Sequence, residues 1–211
     1  MSAMLNQLVL ALPAVFFVVD PIGVVPLFIA MTAHDSKEKA RTMALKASIT
    51  GAVLLVVFAV FGAFIFKLFG VTLPAFRVAG GLLLMLTALD MVRARPSATR
   101  TSEAETKEGA EKDDIAIVPL AIPLLAGPGS IATVMVLMSS SDGSLGATVA
   151  VIAAVLLTFL ATWLLLRAAH HVKKVLGQSG IAIMQRVFGL ILAAIAVQFV
   201  VDGGRELLTK T

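Results

Sequence analysis

Long apolar stretches alternate with short polar segments along the whole chain. Six of these stretches approach or exceed the roughly 20 apolar residues that are needed to cross a hydrocarbon core about 30 Å thick. They run over residues 5–33, 47–66, 73–92, 115–138, 145–166 and 181–201. The pattern predicts an all-α, polytopic membrane protein with six transmembrane helices in a single membrane domain.

The first apolar stretch starts close to Met1 with no basic segment before it, and no small-residue cleavage motif ends it. These features predict a retained helix rather than a cleaved signal peptide. The segment 93–114 contains no large apolar residue and mixes both signs of charge. A composition of this kind is typical of a linker, which divides the chain into two halves, 1–92 and 115–211.

Lys and Arg residues are distributed unequally between the polar connections. When alternate connections are grouped, 13 of the 17 basic residues fall on one side of the membrane and four on the other. Because Lys and Arg accumulate in cytoplasmic loops, we expect a cytoplasmic linker, both termini in the periplasm or cell exterior, and residence in the cell inner membrane. Membrane orientation therefore explains the net charge of +4, and no nucleic-acid partner is expected.

Three short motifs recur at a nearly constant spacing of 107 to 109 residues, which indicates an internal repeat. Because each half contains an odd number of predicted spans, the second half must enter the membrane from the opposite side. The sequence therefore predicts two inverted three-helix repeats, an arrangement that many secondary transporters use. The matching segments are 20–23 with 127–130, 67–70 with 174–177, and 77–80 with 186–189.

Proline and glycine interrupt the first and the fourth predicted spans. A proline removes a backbone donor and clashes with the preceding helical turn, so we expect both helices to break. Hydrocarbon cannot satisfy unwound backbone, and paired broken helices indicate a solute site near the membrane midplane. Prolines that only kink the helices for packing are the alternative. The residues predicted to bind solute are Asp20, Pro21, Gly23, Pro26, Gly127, Pro128, Gly129 and Ser130.

The chemistry of these breaks suits a zwitterionic amino acid. Half-helix N-termini can hold a carboxylate, and freed carbonyl groups can hold an ammonium group or a cation. Asp20 is the only acidic residue deep within a predicted span, where it would suit an ammonium group, a proton or Na⁺. Asp20 would equally cap a half-helix that starts at Pro21, and the two roles are compatible.

Arg77 and Arg186 occupy matching places near the beginnings of the third and sixth spans. They are candidates for a gate or for contact with a solute carboxylate, although snorkelling to the membrane interface is the simpler explanation. His170 and His171 are adjacent, so their rings diverge on a helix and do not predict a metal pair. The chain carries none of the common catalytic motifs, and we expect neither an enzyme nor a cofactor.

Three motifs together carry a family resemblance: Asp20-Pro21-Ile22-Gly23 with Pro26, residues 77–81, and residues 118–123 running into 126–129. In this combination the chain resembles the MarC family of six-helix membrane proteins over essentially its whole length. The resemblance implies a relation to small amino-acid exporters of the LysE type and to neutral amino-acid transporters. It implies no particular ligand contacts.

The sequence thus leads us to expect a secondary transporter of small neutral amino acids, working as importer or exporter, with Na⁺ or proton coupling left open. Two alternatives stay open. One is a transporter of another small solute, such as a drug, an organic acid or an osmolyte. The other is a membrane scaffold or sensor subunit that transports nothing. Apart from the lipid bilayer and the solute no partner is predicted, and a homo-oligomer is compatible with the sequence.

Overall fold

A computed structural model describes residues 3–93, 114–139 and 144–209, and the chain within these ranges is helical without any strand. Most of the predicted linker lies outside the described residues. The helices are α1 (Ala3–Val19), α2 (Val25–Met31), α3 (Lys37–Phe69), α4 (Leu73–Val92), α5 (Ala116–Leu125), α6 (Pro128–Ser139), α7 (Leu145–Arg167) and α8 (Ala169–Thr209).

Four of the described helices, α3, α4, α7 and α8, are long and apolar enough to cross a membrane. The bent pair of α5 and α6 adds a fifth candidate if it counts as one span. The shorter helix α1 is apolar as well, and α2 follows it after a break. The all-helical membrane architecture is thereby confirmed, whereas the number of six spans and the inverted repeat stay predictions.

A polar side chain caps the start of α3 and of α4, and α3 extends well beyond the apolar stretch that predicted it. Helix α3 begins at Lys37, well before residue 47, because the Ser36 hydroxyl accepts a hydrogen bond from the Lys39 backbone N–H at 3.2 Å. Thr72 caps α4 in the same way, and the bounds of α4 agree with the predicted 73–92. Ser and Thr are favoured at this position because they satisfy a free helical N–H group.

Helix α8 also begins earlier than predicted, at Ala169 instead of residue 181. Its course changes at Gly177, whose φ of 63° and ψ of 179° lie outside the helical region. Glycine is favoured at a positive φ because it has no Cβ. A short basic segment therefore precedes the long apolar part of α8.

Helices α4 and α8 pack against each other in antiparallel orientation over most of their lengths. A Cβ atom added to Gly81 would lie 2.8 Å from the Ala196 carbonyl oxygen, and one added to Gly189 would lie 2.9 Å from the Ala88 carbonyl oxygen. Small residues at such crossings let two helix backbones approach closely in a membrane. These glycines serve helix packing.

The remaining helices surround α7 and α6. Helix α7 packs against α1 and α3, while α6 packs against α3, α4 and α1. The ring of Phe159 on α7 fills the space above Gly51 on α3, and the Met135 side chain on α6 does the same at Gly62. These contacts fix α7 and α6 against α3.

Two ion pairs mark the two ends of the bundle. At one end, which we call the linker end, the Lys46 ammonium lies 2.8 Å from the Asp114 carboxylate and so joins the start of α3 to the residues before α5. At the opposite end, Arg77 lies 2.9 Å from the Glu206 carboxylate. The Lys46 ammonium and the Ala116 backbone N–H, both hydrogen-bonded to Asp114, hold the pKa of that carboxyl below its usual value.

Candidate functional site

The first break lies between α1 and α2 and is centred on Asp20. This residue is 2% exposed and has a φ of 51°, in the left-handed region that Asp tolerates better than most side chains. Its carboxylate Oδ1 accepts a hydrogen bond from the Gly23 backbone N–H at 3.0 Å. The sequence thus places a buried carboxylate where the helix stops and stabilises it locally.

Gly23 brings a third helix to this break. A Cβ atom at Gly23 would overlap the Asp20 carboxylate and would lie 2.7 Å from the side-chain amide nitrogen of Gln185 on α8. Helix α8 also contacts α1 close to this break, because the ring centroids of Phe17 on α1 and Phe188 on α8 are 4.8 Å apart. Glycine is therefore required here, and the Gln185 amide lies beside the first break.

The half-helix after this break starts later than the sequence indicated. Residues 21–24 form a turn, and α2 begins at Val25 with Pro26 in its first turn. Val24 precedes α2 and makes no side-chain cap. Asp20 therefore satisfies the backbone of the turn at Gly23 instead of capping a helix that starts at Pro21. Its suggested role in binding solute stays a prediction.

The second break lies between α5 and α6, whose axes differ by 57°. Helix α5 is irregular because Val118 and Ile122, which precede Pro119 and Pro123, both adopt an extended backbone with φ of −127° and ψ of 121°. A residue before proline is pushed towards this region. Pro128 then occupies the first position of α6, where a proline is favoured.

Two hydroxyl groups at the second break form hydrogen bonds within the chain. The Ser130 hydroxyl donates to the Leu125 carbonyl oxygen at 3.0 Å, which ties the start of α6 to the end of α5. The Thr133 hydroxyl donates to the Gly129 carbonyl oxygen at 2.9 Å. A Cβ atom at Gly127 would lie 2.6 Å from the Pro123 carbonyl oxygen, so the sharp bend needs glycine at this position.

A small cavity lies at the second break, beside the end of α1. It has a volume of about 10 Å³, which is space for one water molecule. Val18, two residues before Asp20, forms one wall, and the segment from Gly127 to Ser130 forms another. Leu83 and Thr87 on α4 complete it. The structure therefore places the end of α1, next to the first break, against the second break inside the bundle, and the space at this contact is almost closed.

The two arginines that the sequence paired by position have different surroundings. Arg77 on α4 is bound to Glu206 on α8, as described above, and it does not line the cavity at the breaks. The Arg186 side chain is exposed, although its neighbour Gln185 lies against the first break. A gating role for either arginine stays a prediction.

Sequence reasoning did not identify Gln185, Val18 or Leu84 as neighbours of the breaks. A Cβ atom at Gly129 would lie 3.1 Å from the Leu84 side chain and 3.6 Å from that of Val18. Gln185 carried one usable signal, since it is an uncharged polar residue inside the sixth predicted span.

An all-helical fold with several apolar spans and broken helices inside the bundle defines this protein as a multi-pass integral membrane protein. The sequence profile of the MarC family integral membrane proteins matches residues 5–208. The chain belongs to the MarC family.

Its relatives come from both archaea and bacteria. The chain is 43% identical over 204 residues to the UPF0056 membrane protein MJ1677 of Methanocaldococcus jannaschii, covering 97% of this chain and 98% of that protein. It is 37% identical over 191 residues to the UPF0056 membrane protein YvbG of Bacillus subtilis, covering 90% of each. It is 34% identical over 188 residues to YhcE of Escherichia coli, covering 89% and 87%. No solved structure matches the fold.

Proposed function

We propose that this protein is a secondary transporter of small neutral amino acids, whose solute site lies between the two interrupted segments. The observation that carries the proposal is their convergence inside the bundle. A buried carboxylate at Asp20 lies in one break, and the start of α6 at Pro128 lies in the other. Broken helices that meet in this way are the usual architecture of a midplane solute site.

The two breaks offer complementary charges to a zwitterion. The N-terminus of α6 carries a partial positive charge, and the backbone N–H groups of its first turn suit a carboxylate. Asp20 at the other break suits an ammonium group, and the neighbouring Gln185 amide can bind either part. The apolar side chains of Val18 and Leu84 near Gly129 favour a solute whose own side chain is small and uncharged.

The nearly closed cavity fits a transporter in an occluded conformation. A space of about 10 Å³ holds one water molecule and no amino acid, so binding requires the helices around the breaks to separate. Alternating access supplies this movement when one repeat rocks against the other. The long antiparallel pair of α4 and α8 is suited to stay fixed during that movement.

Reciprocal glycine contacts support the inverted repeat. Gly81 meets Ala196 and Val200, which follow Gly189 by seven and eleven residues. Gly189 meets Ala88 and Val92, which follow Gly81 by the same seven and eleven residues. Two helices that exchange identical contacts are related by a twofold axis through their crossing. An axis of this kind would exchange α4 with α8.

Two other helix contacts fit the same exchange. The packing of α1 on α7 corresponds to that of α5 on α3, and the packing of α2 on α8 corresponds to that of α6 on α4. This agreement supports six membrane crossings in two inverted halves, 1–92 and 115–211, joined by the linker 93–114. The excess of Lys and Arg at the linker end supports a cytoplasmic linker and termini on the opposite face.

Flux through proteoliposomes tests the proposal. The purified chain is reconstituted, and uptake of glycine, alanine, serine and threonine is measured under imposed Na⁺ or proton gradients. We expect uptake of at least one of them, strongly reduced in Asp20→Asn and in Gly129→Leu. Asp202→Asn is the matched control, since it removes a carboxylate from an exposed position on α8.

Three results would count against the proposal. Absence of flux with all four amino acids under both gradients would remove the substrate class. Uptake of an organic acid or a drug instead would favour another kind of solute transporter. Stable co-purification with a partner, together with solute flux that is identical in all variants, would favour a scaffold or sensor subunit.

A further inference from the structure

A second and much larger cavity opens at the linker end of the bundle. It has a volume of about 680 Å³ and lies between the end of α2, the start of α3, the end of α7 and the start of α8. We call it the linker-end vestibule. Its volume is in the range of pockets that hold small organic ligands, and it is separate from the narrow space between the two breaks.

Positive charge predominates at the rim of the vestibule. Lys37, Arg41 and Arg167 are exposed side chains that line it. The acidic residue in the lining is Asp35, and its carboxylate lies 2.7 Å from the Lys39 ammonium. The rim therefore attracts anions, and its arginines can bind phosphate oxygens through paired N–H groups.

The floor of the vestibule is apolar. Phe28 and Leu166 are buried residues in its lining, and Leu164 lies beside them. Free inorganic anions gain nothing from such a floor. An amphiphile with a phosphate group and a hydrocarbon chain matches both the rim and the floor.

The depth of the vestibule also fits a lipid headgroup. The Arg167 guanidinium lies 5.4 Å from the centre of the Trp163 ring, at the point where the long apolar helix α7 ends. Tryptophan and arginine at the end of an apolar span are typical of the membrane interface. Basic pockets between helices at this level are known to bind anionic headgroups.

We infer that the linker-end vestibule binds the headgroup of an anionic phospholipid. Lys37 and Arg41 on α3 hold the phosphate from one wall, and Arg167 on α7 holds it from the other. The first acyl carbons lie over Phe28 and Leu164. A lipid in this position bridges α3 to α7 at the linker end. The inference does not rest on the transported solute, because it concerns a different cavity.

Trp163 makes the inference directly measurable. It is the one tryptophan of a sequence that contains no tyrosine, so its fluorescence reports on the surroundings of Arg167, the vestibule residue that it contacts. The full chain is reconstituted in phosphatidylcholine vesicles that contain increasing fractions of either brominated phosphatidylglycerol or brominated phosphatidylcholine. Brominated acyl chains quench a tryptophan that they touch, and the lipid fraction at half-quenching is compared for the two lipids.

We expect half-quenching at a fraction of brominated phosphatidylglycerol at least about fivefold lower than that of brominated phosphatidylcholine, since one basic residue near the surface contributes about a fivefold preference for anionic lipid. In the double variant Lys37→Gln/Arg41→Gln the preference should fall severalfold while the Trp163–Arg167 contact is retained. The matched control Arg93→Gln/Lys174→Gln removes the same charge from the same end, outside the lining, and should keep the preference.

Three outcomes would overturn the inference. The first is equal quenching of the unaltered chain by the two lipids. The second is an undiminished preference for phosphatidylglycerol in the Lys37→Gln/Arg41→Gln variant. The third is complete loss of the preference on addition of millimolar inorganic phosphate, which would assign the vestibule to a free anion. None of these measurements depends on flux, so a failure here is distinct from a failure of the proposed transport.

Discussion

The crossing of α4 and α8 gives a quantitative test of the packing that underlies the fold. Gly81→Ala and Gly189→Ala each add one methyl group where the two helices approach closely. The new Cβ atoms would lie 2.8 Å and 2.9 Å from backbone carbonyl oxygens, whereas ordinary contacts begin near 3.4 Å. Because a backbone atom cannot rotate away as a side chain can, the helices themselves must separate by about half an ångström.

The energetic cost follows from two opposing effects. Overpacking a well-packed interior costs about 1–3 kcal/mol, while replacing a helical glycine by alanine contributes about 0.5–1 kcal/mol of stability. Gly204→Ala isolates the second effect, because Gly204 is also helical and an added Cβ there meets no atom within 4 Å. Both crossing variants should therefore be about 1–3 kcal/mol less stable than Gly204→Ala.

Unfolding in mixed micelles of dodecyl maltoside and sodium dodecyl sulfate, followed by circular dichroism, measures these differences. The reciprocal contacts predict that Gly81→Ala and Gly189→Ala are destabilised by similar amounts. If either variant were as stable as Gly204→Ala, the close crossing would be refuted. A large loss in one variant with none in the other would refute the twofold relation between the halves.

Two further perturbations test the first break and the linker end. Gly23→Ala should abolish flux and lower stability more than Gly204→Ala, since its Cβ overlaps the Asp20 carboxylate; retained flux would contradict the geometry of the break. Asp114→Asn tests the contact with Lys46, which lowers the folded-state pKa of Asp114 below its ordinary 3.8. The carboxylate therefore stabilises the fold above pH 3.8, and this contribution disappears as the pH falls through the lower folded-state pKa. The unaltered chain should exceed Asp114→Asn in stability by up to about 1 kcal/mol at pH 6, and a difference independent of pH down to 3 would contradict the assignment.

The apolar pattern predicted the long helices well because a helix that crosses a membrane needs about 20 predominantly apolar residues. Helix α4 begins and ends at the predicted residues, and α7 extends only to Arg167 beyond the predicted 145–166. The start of α3 was missed because hydropathy locates the membrane boundary, whereas Ser36 determines where the helix begins. Hydropathy likewise missed the polar first part of α8, which begins at Ala169.

The position of both breaks was predictable, but their detailed shape was not. Proline and glycine disrupt a helix locally, so their effect can be read from neighbouring residues. The start of α2 at Val25 depends on the hydrogen bond between the Asp20 carboxylate and the Gly23 backbone. The position of Gln185 beside that carboxylate results from the packing of α8 against α1, a contact between residues far apart in the chain.

Solute-dependent protection of a thiol at the second break tests the solute site most directly. The chain contains no cysteine, so Ser130→Cys introduces a unique thiol of similar size at a position that is 3% exposed. Its rate of labelling by a membrane-permeant maleimide is measured with and without saturating amino acid, and Thr42→Cys on the exposed start of α3 is the control. We expect the transported amino acid to slow labelling of Ser130→Cys severalfold and to leave Thr42→Cys unchanged. Equal labelling rates of Ser130→Cys with and without glycine, alanine, serine and threonine would contradict a solute site between the interrupted helices.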